Sequence, residues 1–452
     1  MSPAALSPSL ILAERSAPRY TSYPTAPHFS GAVDAGVARH WLGELPTSAS
    51  LSLYLHVPYC TAICTYCGCN TKAVRRSDPL DAYTETLLDE IDLVSAATPA
   101  RRVTHIHWGG GTPSLLGPDR LLRIAERLAA RFDLSAVAEH AIELDPRTVD
   151  AALAAGLARM GVNRASLGVQ DLNAHVQAAI GRMQPLEVVA RCVAHLRAVG
   201  IEAINFDLMY GLPRQSVEDV IRSASLSADL SPSRFAIFGY AHVPWFKTHQ
   251  RLIDQATLPG AAERLQQSEA ARAALQERGF EAVGLDHFAR PDDPMAAAAR
   301  EGTLKRNFQG YTTDRADALL GLGASSIGRL PKGYMQNAPD VGGWRKAVEA
   351  GSLPVTRGVA LSVDDHVRSD VIERLMCGFA VDFGAAAEAA YGRCEALDDA
   401  IPHLRSLDRD GVVRVEGRTV TMTPEGRPFM RLAASAFDAY LRAGAARHSA
   451  AV

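Results

Sequence analysis

The chain has 452 residues, room for two or three domains at about 150 residues each, or for two where one is an α/β barrel. Its 47 Lys and Arg against 50 Asp and Glu leave a net charge of −3, which argues against the broad basic surface that a general nucleic-acid binder needs. Hydrophobic residues at 47% and charged residues at 21% exclude global disorder, and no apolar run reaches the roughly 18 residues of a membrane span.

In chain order, the segment before residue 50 is rich in Pro and Ser, shows little periodicity and reads as an arm. Met1 to Leu12 has neither a basic n-region nor a convincing cleavage site, so no secretory leader is expected and the cytoplasm is the expected location. From Leu51 short apolar runs alternate with longer helical patterns. Strands are predicted over 51–57, 103–108, 140–144, 164–169, 203–209 and 234–240. A helix is predicted over 119–132, where Leu121, Leu122, Ile124, Ala125 and Leu128 recur on one face and Pro118 stands near the start. Strands alternating with crossover helices make a parallel sheet. Six units fall short of the eight in a closed barrel, so the expected fold is α/β, an incomplete (β/α)6 barrel or an open sheet.

After about residue 280 the pattern changes. Helical stretches are predicted over 296–301, 364–377 and 384–391, a polar hairpin over 412–422 and a last helix over 428–441. The chain therefore divides into an arm (1–47), an α/β core (48–285), a connecting region that closes the barrel (286–355) and a smaller, mainly helical C-terminal domain (356–452).

The seven cysteines are distributed unevenly. Cys60, Cys64, Cys67 and Cys69 fall within ten residues, directly after the first predicted strand, whereas Cys192, Cys377 and Cys394 are scattered through helical patterns and read as inert thiols. Clustered thiols in a reducing compartment bind metal or do redox chemistry. A closed tetrahedral zinc site is one reading, but a single residue separates Cys67 from Cys69 and no second ligand pair follows at zinc-finger spacing. The other reading is a loop that presents three thiolates to an iron–sulfur cluster.

Cys60-x-x-x-Cys64-x-x-Cys67 after a first barrel strand resembles the signature of the radical S-adenosylmethionine (SAM) superfamily, and Trp108-Gly-Gly-Gly-Thr-Pro113 resembles its SAM-binding turn. Further segments narrow the likeness: Arg19-Tyr-Thr-Ser-Tyr-Pro-Thr-Ala26, Glu143-Leu-Asp-Pro146, Gly168-Val-Gln-Asp171, Phe206-Asp-Leu-Met-Tyr-Gly-Leu-Pro213 and Arg306-Asn-Phe-Gln-Gly-Tyr-Thr-Thr313. Together they resemble the oxygen-independent coproporphyrinogen III oxidase (coproporphyrinogen dehydrogenase) family. Cys69 and the arm favour it over haem-chaperone relatives on the same core, whose members are carriers without turnover.

The resemblance implies a radical SAM (β/α)6 core over 48–285, a [4Fe–4S] cluster on Cys60, Cys64 and Cys67, and two SAM molecules. It implies Tyr54, Gly110, Glu143 and Ile327 around the cluster-bound SAM. Tyr66, Gly111, Thr112, Gln170, Arg182, Asp207 and Ala241 are implied around the second, with Tyr54, Glu143, Gln170 and Asp207 as catalytic candidates. It also implies the reaction: two propionates of coproporphyrinogen III lose hydrogen and CO2 to become the vinyl groups of protoporphyrinogen IX, while SAM is cleaved to methionine and 5′-deoxyadenosine. A reduced flavodoxin- or ferredoxin-like donor, an electron acceptor the sequence does not name and a monomeric state complete the expectation. Glu143 or Asp207 alone would read as a helix cap or a solvated charge, but both fall at the carboxyl ends of predicted strands, where α/β ligands gather. His105 and His107 alternate onto one strand face and are expected to be structural. Arg19, Lys72, Arg75 and Arg76 are the candidate cations for a substrate with four carboxylates.

Overall fold

The six apolar runs are the parallel centre of one twelve-stranded sheet. The structure, a computed structural model, describes residues 8–441, so the leader reading at Met1 to Leu12 lies mostly outside the described residues. The strands are β1 (Leu51–Val57), β2 (Val103–Gly110), β3 (Glu139–Leu144), β4 (Arg164–Gln170), β5 (Ala203–Tyr210) and β6 (Arg234–Gly239), each pairing in parallel with the next. Side chains alternate along a strand, and here the two faces differ sharply. Ile106, Trp108, Ile142, Leu167, Phe206 and Phe235 are buried on the outer face. The inner face carries His105, His107, Glu139, Glu143, Arg164, Ser166, Asn205, Asp207 and Arg234 around a small cavity of about 170 Å³.

Helices cross between the strands and bury one stripe each. In Gly117–Arg131 the buried residues are Leu121, Ile124, Ala125 and Leu128, with Pro118 in the first turn. Among the described residues no helix is long and apolar enough to cross a membrane.

Beyond residue 280 the chain carries more strand than the sequence predicts. β7 (Glu281–Val283) and β8 (His287–Ala289) extend the sheet antiparallel beyond β6. On the opposite side β9 (Ala318–Leu322) lies parallel to β1, and β10 (Ile327–Leu330), β11 (Gly333–Asn337) and β12 (Val355–Ala360) follow antiparallel. The strand order is β12-β11-β10-β9-β1-β2-β3-β4-β5-β6-β8-β7, an open barrel. A hairpin of Lys305–Asn307 and Gly310–Thr312 supplies Asn307, Gln309, Tyr311 and Thr312 to the wall of the inner cavity. These strands are only three to six residues long and several are interrupted by glycine, so they show no alternation long enough to read.

The helices expected over 296–301, 364–377 and 384–391 are Pro294–Arg300, Val363–Gly378 and Phe383–Tyr391. The hairpin Val413–Glu416 and Thr419–Met422 gains a third strand, Ala380–Asp382. The expected last helix over 428–441 is instead a series of short turns, Arg427–Phe429, Met430–Ala434 and Ser435–Phe437. There Ser435 Oγ donates back to the Leu432 carbonyl and Asp438 accepts from the Tyr440 and Leu441 amides, local bonds that compete with a continuing helix. The arm contains a helix, Ala35–Gly43, capped by Asp34. It is pinned to the C-terminal segment where Tyr20 Oη donates to Asp438 (3.0 Å) and the Ala439 amide donates to Tyr23 Oη (3.1 Å).

One buried carboxyl ties the added strands to the core. Glu90, on the helix Asp78–Ala97, accepts from the Gly323 amide (2.6 Å), Asn337 Nδ2 (2.6 Å) and Trp344 Nε1 (3.0 Å). Burial pushes its carboxyl up to about 7 against the effect of these donors. The folded chain therefore holds a proton there that the unfolded chain releases above about 4.5. Its contribution is full below that pH and disappears as pH rises through about 7, a span worth roughly 3 kcal/mol. Denaturant melts at pH 5 and pH 7.5 are expected to show wild type losing stability relative to Glu90→Gln as pH rises. Parallel behaviour of the two proteins would remove Glu90 as the source.

Candidate cluster and ligand site

The chain leaving β1 forms the cysteine loop, closed at its base by backbone bonds from Lys72 to Pro58 (2.9 Å) and from Val74 to Cys60 (2.8 Å). Cys60, Cys64 and Cys67 line one cavity of about 610 Å³. The hydroxyls of Thr71 and Thr112 each donate to Cys60 Sγ (3.4 Å), and Arg182 Nη1 donates to Cys64 Sγ (3.7 Å). The Cys67 and Cys69 thiols are hydrogen-bonded to one another, a pairing that pulls the Cys67 thiol down and pushes the Cys69 thiol up.

The glycine turn after β2 packs against this loop, with the Gly111 amide donating to the Val57 carbonyl (2.8 Å) and the Thr112 amide to the Tyr59 carbonyl (2.7 Å). Gly110 adopts φ 113°, and a Cβ there would stand 2.7 Å from the His56 ring. A Cβ on Gly111 would stand 2.5 Å from both the Tyr59 carbonyl oxygen and Thr71 Oγ1. Only glycine allows this close approach of two backbones.

At the end of β3, Glu143 accepts from the Gly110 amide (3.2 Å) and faces His107 Nε2 (3.2 Å). Gln170, the last residue of β4, has φ 65° at a register shift against β5, a left-handed conformation that costs a non-glycine residue about 1–2 kcal/mol. Such a shift re-aims a side chain, and Gln170 lines the cavity. Arg182 is buried and donates to Asp145 (3.1 Å), the Gly168 carbonyl (2.7 Å) and Cys64. Burial opposes its charge, but Tyr66, Asp145 and Cys64 together hold the guanidinium protonated. Asp207, on β5, accepts from Ser166 Oγ (3.0 Å) and Asn205 Nδ2 (2.9 Å). Burial, then nearby Glu143, pushes its carboxyl up to about 7.

Gly110, Gly111, Thr112 and Glu143 thus meet Tyr66, Gln170, Arg182, Asp207 and Ala241 on the wall that holds the three cysteines. Tyr54 and Ile327 do not line the cavity. Tyr54 sits one layer beneath, its hydroxyl 2.9 Å from His56 Nδ1 and its ring stacked on His107. Ile327 packs its backbone against Gly321, the partner of Tyr54 across the sheet. His105 and His107 face the inner cavity, 3.2 Å from Asp314 and Glu143 respectively. Of the candidate cations Arg19 lines the cavity, whereas Lys72, Arg75 and Arg76 do not, and Arg76 pairs with Asp78 in solvent. Cys192 is fully buried, but Cys377 is half-buried and so is Cys394, which accepts from Arg418 (3.4 Å).

Sequence reasoning missed the strap after Ala241. Lys247 Nζ donates to the Cys69 carbonyl (2.9 Å), His249 Nε2 lies 2.7 Å from the Cys67 carbonyl and Gln250 Nε2 donates to the Tyr66 carbonyl (2.9 Å). The partners are backbone oxygens, which carry no residue-type signal.

Comparison with known proteins places this geometry. The family model described as the radical SAM superfamily matches residues 54–226. The oxygen-independent coproporphyrinogen III oxidase of Bradyrhizobium diazoefficiens is 48% identical over 440 residues, spanning 97% of this chain and 98% of its own. That of Escherichia coli is 38% identical over 94% and 93%. The solved structure of coproporphyrinogen III oxidase (HemN) from Escherichia coli, described as a radical SAM enzyme, superposes with a TM-score of 0.88 at 37% identity, covering 93% of this chain and 97% of that one. The chain belongs to the oxygen-independent coproporphyrinogen III oxidase family of the radical SAM superfamily.

Proposed function

We propose that this chain converts coproporphyrinogen III to protoporphyrinogen IX without oxygen, using a [4Fe–4S] cluster and two SAM molecules. The observation that carries the reading is the meeting of three cysteines, the glycine turn and the polar strand ends on a single cavity. When bound, the cluster and SAM supply the one-electron chemistry that amino-acid side chains lack.

The chain's own residues do the rest. Cys60, Cys64 and Cys67 hold the cluster, with Cys69 beside Cys67 as a hydrogen-bond partner and not a ligand. The carboxylate of Glu143 matches a SAM ammonium, with Gly110 presenting its backbone and Tyr54 and Ile327 supporting that side from beneath. Tyr66, Gly111, Thr112, Gln170, Arg182, Asp207 and Ala241 surround the second SAM. Val243 and Phe246 line the outer rim of the cavity. A reduced flavodoxin- or ferredoxin-like protein donates the electrons, and the setting is a monomer in the cytoplasm.

Anaerobically reconstituted protein given reductant, SAM and coproporphyrinogen III is expected to yield protoporphyrinogen IX with CO2 and 5′-deoxyadenosine. Tight, stoichiometric haem binding without product would identify a carrier in place of an enzyme. Gly111→Ala tests the glycine cradle. Its Cβ meets fixed backbone, and a displacement of about 1 Å costs on the order of 10²-fold in rate. Turnover is expected to fall by about that factor while iron content stays near wild type; unchanged turnover would remove the cradle from the site.

A further inference from the structure

A second cavity, of about 390 Å³, shares a wall with the cysteine cavity through Arg19, Cys69, Phe238, Gly239, Tyr240 and Ala241. It is walled by five arginines, Arg19, Arg264, Arg272, Arg306 and Arg431. Asp286 is the one carboxylate among its described lining residues, and that carboxylate is already engaged by His287 Nδ1 (2.7 Å).

Neutral groups help hold these guanidinium groups in place. Arg19 donates to the Gly239 carbonyl (3.1 Å), Arg306 to the Arg19 carbonyl (3.3 Å) and Arg431 to the Ala17 carbonyl (3.3 Å). Arg264 and Arg306 lie over the rings of Tyr210 and Tyr311, at 5.6 and 4.4 Å. Carbonyls and rings orient a guanidinium, and five arginines against one lining carboxylate leave the cavity wall with an excess of positive charge. Burial and then Arg19 pull the Arg431 guanidinium down to about 10, and the same two causes act downward on Arg264. A site of this kind is completed by a polyanion, and planar guanidinium forks match carboxylates.

The proposed substrate enters with four carboxylates and leaves with two. We propose that the arginine cavity seats the propionate carboxylates that survive the reaction, and so sets which edge of the tetrapyrrole faces the cysteine cavity. The identity of the ligand rests on the function proposed above.

The test is equilibrium binding without turnover, using coproporphyrin III, its tetramethyl ester and protoporphyrin IX as probes. Wild type is expected to bind both free acids and to bind the ester far more weakly. Arg272→Gln and Arg306→Gln are each expected to weaken coproporphyrin III about tenfold or more, and to weaken protoporphyrin IX by the same factor, because the carboxylates it keeps are the ones seated there. Arg272→Lys and Arg306→Lys, which keep the charge and lose the fork, are expected to fall between and guard against misfolding of the Gln variants. Arg75→Gln, outside both cavities, serves as the control and is expected to bind as wild type.

Wild-type affinity in the Gln variants would overturn the proposal, and so would a loss confined to coproporphyrin III. If binding behaves as expected but wild type makes no protoporphyrinogen, the enzymatic reading fails and the carboxylate seat stands. If turnover proceeds and the arginine variants bind normally, only the seat fails.

Discussion

Cys64→Ser is expected to yield folded protein with almost no iron or sulfide and with turnover below about a thousandth of wild type, because the 10⁶-fold or larger acceleration of an enzyme rests here on its cofactor. Cys64 is the most buried of the clustered cysteines, and Arg182 brings a fixed positive charge to its sulfur. A serine hydroxyl is shorter and harder than a thiolate and stays protonated at neutral pH, so it is a poor ligand for cluster iron. The exchange barely changes volume, so far-ultraviolet circular dichroism is expected to match wild type. Cys69→Ser supplies the contrast. It is the exposed member of the four, hydrogen-bonded to Cys67, and its carbonyl, which a serine keeps, is the acceptor for Lys247, so iron content is expected to persist. Iron and sulfide analysis of the two variants separates a ligand from a neighbour; full iron content in Cys64→Ser would contradict the assignment.

What was legible in the sequence follows from how burial is distributed. The strands β1 to β6 could be read because their outer faces are continuously apolar, and each predicted boundary falls within two residues of the observed one. The cysteine loop and glycine turn could be read because their chemistry is local. β9 could not, since five residues that include Gly321 show no period until they pair with β1. The ionic floor of the barrel was equally hidden. Arg164 and Arg234 stand far apart in sequence and meet Glu139 (2.8 and 3.4 Å) and Asp293 (3.4 and 2.7 Å) only in the fold. The arginine cavity left one trace: Arg264, Ser268 and Arg272 recur at i, i+4 and i+8 on the helix Ala261–Glu277, a polar stripe aimed inward. Read alone, such a stripe is a solvated face. It becomes a site only when Arg306 and Arg431 arrive from the hairpin and the C-terminal segment.

Arg182→Met is expected to damage stability and activity together, because three separate elements converge on one guanidinium. Asp145 follows β3, Gly168 lies in β4 next to the re-aimed Gln170, and Cys64 belongs to the loop after β1. Removing one partner of a buried ion pair costs about 3–5 kcal/mol. Arg147, which also grips Asp145 (2.6 Å), keeps that carboxylate partly satisfied, so the lower end, near 3 kcal/mol, is expected in denaturant melts. Activity is expected to fall further than stability alone requires. The Gly168 carbonyl loses a donor beside the strained Gln170, and the Cys64 sulfur loses the donor that fixes its position, so kcat/KM is expected to drop more than about 10²-fold and iron content to fall with it. Arg182→Lys separates the two contributions. A lysine restores a positive charge near Asp145 but, as a compact point charge on a flexible stem, cannot reproduce the planar fork that reaches three partners. Most of the stability and little of the activity should therefore return. Equal recovery of both would mean that charge alone matters at this position, and the orientation of Gln170 and Cys64 would then have to come from the loops themselves.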